Sequence, residues 1–188
     1  MVDFTVPIPT YNGGQRLPKL LEALRSQIVP ADVTWDVLVV DNNSTDDTAE
    51  VVAHYQNDWP GTSQLRYCVE PRQGAAYARQ RAIGDSDSTW VGLLDDDSIP
   101  AADWVAQGGQ FGQAHPQAGA FGGQIHGDFE SPPGPDFRRI QSFLAIRERG
   151  DKPHRYEPET LNLPPTAAVV VRRDAWLEIG RASCRERV

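Results

Sequence analysis

Cysteine and long apolar runs are scarce in this chain, and each shortage excludes a class of protein. Its 188 residues include two cysteines, Cys68 and Cys184, which form no spaced framework, so we expect a reduced, cytoplasmic setting. No run approaches the ~20 apolar residues of a membrane span, and the start, MVDFTVPIPTYN, does not resemble a signal peptide. Contact with a membrane, at its inner face, is therefore expected to be peripheral or to depend on further C-terminal sequence.

Positive charge is scarce as well. The formal net charge is -8 and the pI is near 4.9. Because an acidic surface repels phosphate backbones, we expect no nucleic-acid partner. A small phosphate-bearing substrate would meet the same repulsion unless a divalent cation accompanied it.

Short apolar runs alternate with helical patterns in the first part of the chain. Strands are predicted at residues 4–8, where Pro9 ends the run, and at 35–40, 65–69 and 90–94; helices are predicted at 17–26, 46–55, with Ser44 as the N-cap, and 75–83. The runs VLVV and WVGLL are apolar at consecutive positions, which is typical of parallel strands buried on both faces. The pattern predicts an α/β fold: a doubly wound, mainly parallel sheet with helices on both faces. For such a sheet we expect the usual strand order 3-2-1-4.

The later part of the chain has weaker patterns. They predict a helix at residues 102–111, a strand at 118–125, a helix at 137–148 and a strand at 166–171. The predicted strand order places a ligand crevice between the first and fourth strands, at their carboxyl ends, where the chain carries several polar residues.

The sharpest chemical signal is the acidic triplet Asp95-Asp96-Asp97, directly after the fourth strand. Adjacent carboxylates repel one another, so a turn that holds them together is costly unless a cation binds. Asp95 and Asp97, two positions apart, can face one ion, and their hard oxygens suit Mg²⁺ or Mn²⁺. The alternative is a solvated acidic turn that caps the following helix.

Other residues at this edge have two interpretations each. Asp41 can accept hydrogen bonds from a nucleobase or a ribose, or it can form an Asx turn that caps the next helix. Arg72 and Arg79 are candidates for contact with a diphosphate, or they are ordinary surface arginines. Gly74 would let N–H groups at the start of the third helix approach an anion, or it is an ordinary N-terminal glycine.

Five stretches, taken in order, resemble glycosyltransferase family 2. They are VPIPTYNGG, VLVVDNNSTDDT, EPRQGAAYARQRAIG, WVGLLDDDSIPAADWV and PPTAAVVVRRDAW, within residues 3–177. The finer pattern is similar to the hormogonium-polysaccharide-type subgroup. The resemblance implies a GT-A fold over residues 1–177 that binds a nucleoside-diphosphate sugar together with Mn²⁺ or Mg²⁺.

The resemblance also implies residue roles. Asp97 would be the leading metal ligand, Asp95 would lie near the metal and the ribose, and Asp41 would read the base. The full set of expected donor-binding residues is Pro9, Thr10, Tyr11, Asp41, Asn43, Arg72, Gly74, Arg79, Asp95 and Asp96.

The implied reaction is an inverting transfer of the sugar to a glycan or lipid-linked acceptor, in the synthesis of an extracellular or surface polysaccharide. The family's general base lies in an acidic motif beyond the strand at 166–171, and this chain has no such motif there, so we assign no catalytic residue. The alternatives are a non-catalytic nucleotide-sugar-binding module and a nucleotidyltransferase related to sugar-nucleotide pyrophosphorylases. The first loop, PTYNGGQRLP, lacks the glycine-rich, arginine-bearing pattern of the second alternative.

The last residues are expected to be foreign to the protein. The tail EIGRASCRERV, residues 178–188, can be back-translated as the start of a common short-read sequencing adapter, and residues 181–188 hold three Arg and one Glu in an otherwise acidic chain. We therefore expect residues 1–177 to be the native part of a C-terminally truncated domain, whose general base was lost with the missing segment.

Overall fold

A computed structural model describes residues 3–129, 131–144, 146–148, 150, 152–157, 159 and 167–185. These residues form a six-stranded sheet flanked by helices. The strands are β1 (Phe4–Thr10), β2 (Trp35–Asp41), β3 (Gln64–Val69), β4 (Trp90–Gly92), β5 (Ala120–Gly122) and β6 (Val169–Arg172). The helices are α1 (Leu17–Arg25), α2 (Thr48–Gln56), α3 (Ala75–Gly84), α4 (Trp104–Ala114), α5 (Phe137–Ile140), which continues as a 3₁₀ turn (Gln141–Phe143), and α6 (Arg173–Arg185).

The sheet has the strand order β3-β2-β1-β4-β6-β5. The first four strands are parallel, and β6 runs antiparallel to both β4 and β5. The predicted order 3-2-1-4 and the mainly parallel α/β architecture are confirmed. Among the described residues, no helix is both long enough and apolar enough to cross a membrane.

Helices cover both faces of the sheet. On one face, the four leucines of α1 pack with apolar side chains of β1, β2 and β4, in a core that also contains Val52 of α2 and Val105 of α4. On the other face, Ala78 and Ala82 of α3 pack against β2. The four leucines of α1, Leu17, Leu20, Leu21 and Leu24, recur at helical spacing in the sequence. Each is fully buried, which stabilises the fold by about 1.5–3 kcal/mol per side chain.

Two prolines on β1 explain why its strand pairing with β4 stops early. The Thr10 carbonyl accepts a hydrogen bond from Asn42 N–H on the β2 side at 2.8 Å, whereas the Pro7 carbonyl accepts from Leu94 N–H on the β4 side at 3.2 Å. Because the backbone groups of alternate residues point to opposite neighbouring strands, the backbones of Pro7 and Pro9 both face β4. A proline has no backbone N–H, so neither residue can donate a hydrogen bond to β4.

The register of β1 agrees with this account. Residue-by-residue pairing with β4 stops at Thr5, opposite Val91, whereas pairing with β2 continues as far as Thr10, opposite Asp41. The prediction that Pro9 ends the first strand is therefore wrong, because the missing donor does not face β2. Strand pairing between β1 and β4 therefore stops before the carboxyl edge, where the crevice is predicted.

Helix α2 begins later than expected, and its predicted cap is wrong. The helix starts at Thr48, whose N–H and hydroxyl both donate to Asp46. The Ser44 hydroxyl accepts instead from Asn12 N–H at 2.9 Å. The Ser44 hydroxyl therefore binds the first loop instead of capping α2. The Asp46 side chain binds the N–H of Thr48, and this local hydrogen bond competes with an earlier start of the helix.

The prediction of a long helix at 137–148 is also wrong. Of the described residues in this range, only α5 and its 3₁₀ continuation are helical. Arg147 forms an antiparallel bridge with Ile125 through N–H···O bonds of 2.8 and 3.1 Å. The strand expected at 118–125 shortens to β5. The strand expected at 166–171 corresponds to β6, which starts at Val169. The first residue of the expected strand, Thr166, lies outside the described residues.

Candidate functional site

The end of β1 contacts the acidic triplet directly. Thr10 is buried, and its hydroxyl donates to Asp96 Oδ2 at 2.6 Å, although the two residues are 86 positions apart in the chain. Asp41 lies beside Thr10 in the strand register. The carboxyl ends of β1, β2 and β4 therefore meet at one edge, as the sequence predicts.

Arg16 joins this cluster, and sequence reasoning missed it. Its Nε and Nη2 atoms donate to the two Asp96 oxygens at 2.9 and 2.8 Å, and Nη2 also donates to the Tyr11 carbonyl at 3.1 Å. A single arginine before a helix carries no signal of its own, and its partner lies 80 positions away.

The first loop is fixed to the loop after β2 by its backbone. Gly13 N–H donates to the Thr48 hydroxyl at 2.9 Å, and Gly14 N–H donates to Asp46 Oδ2 at 3.0 Å. A Cβ atom on Gly13 would lie 2.0 Å from Thr10 Oγ1, and one on Gly14 would lie 2.0 Å from Asp47 Oδ1. The two glycines are needed for close approach, and both N–H groups bind protein oxygens.

The three carboxylates of the triplet have different surroundings. Asp95 accepts from Arg79 Nη2 at 2.9 Å, and Asp96 is held by Arg16 and Thr10. Asp97 is exposed, and within the described part of the chain its carboxylate has no hydrogen bond or ion pair. Arg79, a predicted diphosphate contact, therefore lies at the triplet.

The donor set bears on whether a cation fits here. The described residues contain no cluster of three or more His, Cys, Asp or Glu side chains arranged to hold a metal ion. A site that binds a cation together with substrate phosphates does not need such a cluster. In sites of this kind Mg²⁺ is commonly bound by one or two carboxylates, and waters and phosphate oxygens supply the other ligands. Asp97, with its unpaired exposed carboxylate, and its neighbour Asp95 fit that kind of site.

Asp41 binds the backbone of its own loop, but its bond to Ser44 spans three residues rather than the two of an Asx turn, and it does not cap α2, which begins at Thr48. It is buried, its Oδ1 atom accepts from Ser44 N–H at 2.8 Å and its Oδ2 atom accepts from the Tyr67 hydroxyl at 2.6 Å. Burial and the bond to Asp41 raise the pKa of Tyr67, which therefore stays a donor. Base recognition by Asp41 stays a prediction.

Asn42 clamps the loop after β3, and sequence reasoning missed it too. Its buried Nδ2 atom donates to the carbonyls of Glu70 and Arg72 at 2.9 and 2.7 Å, and its Oδ1 atom accepts from Gly74 N–H at 2.7 Å. Gly74 has a φ of 135°, which favours glycine. The N–H of Gly74 itself is thus bound to Asn42.

Arg72 is paired with a buried carboxylate. Its Nε and Nη2 atoms donate to Glu70 at 2.8 and 3.0 Å, and its guanidinium lies 4.7 Å from the centre of the Tyr77 ring. The hydrogen bonds from Arg72 lower the pKa of Glu70 to about 2. Arg72 lies at the predicted edge, but its charge is balanced by Glu70.

The remaining predicted residues lie around the same edge. Pro9 is on β1, Tyr11 is half exposed just beyond it, and Asn43 is exposed with a φ of 68° in the loop after β2. The edge therefore combines anchored loops with exposed side chains, an arrangement that can orient a ligand bearing both a ring and negative charge.

A family model described as "Glycosyl transferase family 2" matches residues 5–176. The chain belongs to this family. The match confirms the resemblance drawn from the five stretches, whereas the hormogonium-polysaccharide-type subgroup stays a prediction.

Among curated relatives, the glycosyltransferase AglE of Haloferax volcanii is 33% identical over 105 residues, which are 55% of this chain and 33% of AglE. The poly(ribitol-phosphate) β-N-acetylglucosaminyltransferase TarS of Staphylococcus aureus is 40% identical over 57 residues, which are 30% of this chain and 10% of TarS. The matched part of this chain thus spans a third or less of each relative.

Solved structures support the fold. A crystal structure of S. aureus TarS 1-349 in complex with UDP-GlcNAc matches with a TM-score of 0.64 at 22% identity, over 92% of this chain and 46% of that one. The mannosyltransferase PcManGT from Pyrobaculum calidifontis, in complex with GDP-Man and Mn²⁺, matches with a TM-score of 0.55 at 32% identity, over 62% of this chain and 34% of that one.

Proposed function

We propose that this chain forms the donor-binding part of an inverting glycosyltransferase, which takes its sugar from a nucleoside diphosphate with the help of Mn²⁺ or Mg²⁺. The observation that carries the proposal is the meeting of the first loop, Arg79 and the acidic triplet at the carboxyl ends of β1 and β4. Membership of family 2 supports it, as does the Mn²⁺ and GDP-Man complex of PcManGT.

The charges at this edge fit a diphosphate only if a cation is bound. Arg16 and Arg79 each neutralise one carboxylate of the triplet, so Asp97 leaves one unbalanced negative charge. That charge would repel a diphosphate and attract a divalent cation. Asp97 and Asp95 would hold the cation, which when bound offsets the negative charge on the departing diphosphate.

The other residues would bind and orient the donor. Exposed Tyr11 offers a ring beside the nucleotide, and Asp41 offers a fixed acceptor for the base. If Asp95 held a cation, the Arg79 guanidinium that now binds Asp95 would be available to the diphosphate. The remaining members of the proposed donor site are Pro9, Thr10, Asn43, Arg72, Gly74 and Asp96, which accepts a hydrogen bond from Thr10.

The proposed reaction is a single displacement at the anomeric carbon. The bond from that carbon to the diphosphate oxygen breaks as a bond to the acceptor hydroxyl oxygen forms, with inversion of configuration. A base must take the acceptor proton, and we assign that role to none of the described residues. The proposed acceptor is a glycan or lipid-linked sugar of a surface polysaccharide.

The test compares two exposed aspartates at opposite ends of β4. UDP, GDP and dTDP are titrated calorimetrically into the wild type, Asp97→Asn and Asp87→Asn, with Mn²⁺ and with EDTA. Both variants lose one exposed negative charge, but only Asp97 lies at the proposed site.

We expect at least one nucleotide to bind the wild type and the Asp87 variant with Mn²⁺ and to lose most of its affinity in EDTA. Asp97→Asn should abolish most of the gain from Mn²⁺. If the wild type binds none of the nucleotides, or binds them equally well in EDTA, the proposed function is wrong.

A further inference from the structure

We propose that Arg16 is a positioning residue of the donor site, which fastens the first loop to the acidic triplet. The proposal rests on the function proposed above. Arg16 contacts the loop after β1 and the turn after β4 at once, because it donates two hydrogen bonds to the Asp96 carboxylate and one to the Tyr11 carbonyl. A planar guanidinium matches the two oxygens of a carboxylate in a way that an ammonium group does not.

Asp96 is held from a second direction as well. The Thr10 hydroxyl donates to the oxygen that Arg16 Nη2 also contacts, and the Asp96 side chain is 14% exposed. A Cβ atom on Gly13 would lie 2.0 Å from Thr10 Oγ1 and 3.1 Å from Asp96 Oδ2. Gly13 therefore lets the Thr10 and Asp96 side chains pack directly against the first loop, and both Asp96 oxygens accept hydrogen bonds from the protein.

These hydrogen bonds separate the roles of the three carboxylates. With Asp96 held by Arg16 and Thr10, its neighbour Asp97 is left exposed and without a partner among the described residues. Arg16 also neutralises Asp96. Without Arg16, a second unbalanced carboxylate would face the diphosphate, and Tyr11 would lose one restraint on its backbone.

The experiment compares Arg16→Ala with Arg16→Lys, and it uses Arg25→Ala as the control. Arg25 belongs to α1, just beyond Arg16 in the chain, and its exposed ion pair with Asp58 has no contact with the triplet. Affinity for UDP and for GDP with Mn²⁺ is measured by calorimetry, and the unfolding temperature is measured on the same samples.

We expect Arg16→Ala to weaken the nucleotide–Mn²⁺ complex by about tenfold, since a guanidinium that contacts both oxygens of a carboxylate holds it more firmly than a surface pair with a single contact does. Arg16→Lys keeps the charge but loses the two-nitrogen contact, so it should weaken the complex less than Arg16→Ala without regaining wild-type affinity. Added methylguanidinium should restore part of the affinity of Arg16→Ala, and a loss of folding alone would not respond in that way.

The outcomes separate the two proposals. If the wild type binds no nucleotide with Mn²⁺, the proposed function fails. If the wild type binds and Arg16→Ala binds as well as Arg25→Ala, the role of Arg16 is refuted and the proposed function stands. If Arg16→Ala is too unstable to measure, Arg16→Lys decides: reduced affinity at a wild-type unfolding temperature supports the role, and wild-type affinity overturns it.

Discussion

The parallel and antiparallel parts of the sheet differ in how much of the core they hold. Nearly all buried apolar side chains come from the parallel part, between Phe4 and Ala106. Of the described residues between Gly112 and Val169, none is buried. The antiparallel part contributes three buried valines, Val169, Val170 and Val171, to the core. They belong to β6, the strand between β4 and β5 in the sheet.

This difference shows where the candidate site gets its rigidity. In the described part of the chain, the hydrogen bonds that anchor the first loop, the loop after β2 and the loop after β3 come from residues 10–96, at the carboxyl edge of the parallel strands. Loops supported by a packed scaffold can hold side chains in fixed positions. The donor side of the site should therefore depend on the parallel part, and four measurements test that dependence.

The largest expected effect contrasts the core with the later surface. Ile8→Ala, on buried β1, should lower the free energy of unfolding by about 4 kcal/mol, because it removes packed methyl and methylene groups and leaves a cavity. Phe143→Ala, at a side chain that is 87% exposed, should change it by less than about 0.5 kcal/mol. Urea unfolding measures both, and equal losses would contradict the comparison.

The second effect concerns the clamp at Asn42. Asn42→Ala leaves the Gly74 N–H and the carbonyls of Glu70 and Arg72 without this partner. The free energy of unfolding should therefore fall by about 3 kcal/mol. The control is Asn57→Ala, at an exposed residue that ends α2, with an expected change below about 0.5 kcal/mol. A loss at Asn42 no larger than at Asn57 would mean that the clamp adds nothing.

The third effect compares two glycines. Gly13→Ala forces a Cβ against the Thr10 hydroxyl and should destabilise the protein by about 2 kcal/mol, the usual cost of overpacking. Gly123→Ala, in the later part, meets nothing within 4 Å and should be nearly neutral. Thermal unfolding distinguishes them, and a neutral Gly13→Ala would show that the first loop can shift freely.

The smallest effect is a pH dependence at the edge. The pKa of Glu70 falls from 4.5 to about 2, so the stabilisation by the charged carboxylate is complete above pH 4.5 and is lost as the pH falls towards 2. The unfolding temperature of Glu70→Gln should therefore lie below that of the wild type at neutral pH, with a gap that closes between pH 4.5 and 2.

Arg72→Gln is the control for this dependence, because it removes the guanidinium that lowers the pKa. Adding Glu70→Gln to that variant should produce a smaller gap. A gap that stays constant down to pH 2 would show that the Glu70–Arg72 pair does not stabilise the fold through the charged carboxylate.

The sequence predicted the parallel part well, because its signals are local. Consecutive apolar residues indicate buried strands, and the leucines of α1 recur at helical spacing, so the parallel strands and the apolar face of α1 followed from the pattern. The edge bearing Thr10, Asp41 and Asp95–Asp97 followed from these strands together with the usual strand order of such sheets. The later part misled the same reasoning. The helical pattern after Phe137 predicts a long helix, but Arg147 pairs with Ile125 instead, and such long-range pairing overrides weak local propensity.

By itself, the sequence determined which residues could form strands, which helix faces are apolar and where the carboxylates stand, since each of these depends on neighbours within a few positions. Only the tertiary structure decided which partner each polar group takes. Arg16 meets Asp96, Tyr67 meets Asp41 and Asn42 meets the loop at Gly74, at separations of 80, 26 and 32 residues. A hydrogen bond forms over about 3 Å in space, and that proximity is set by the packing of the whole sheet rather than by any local pattern.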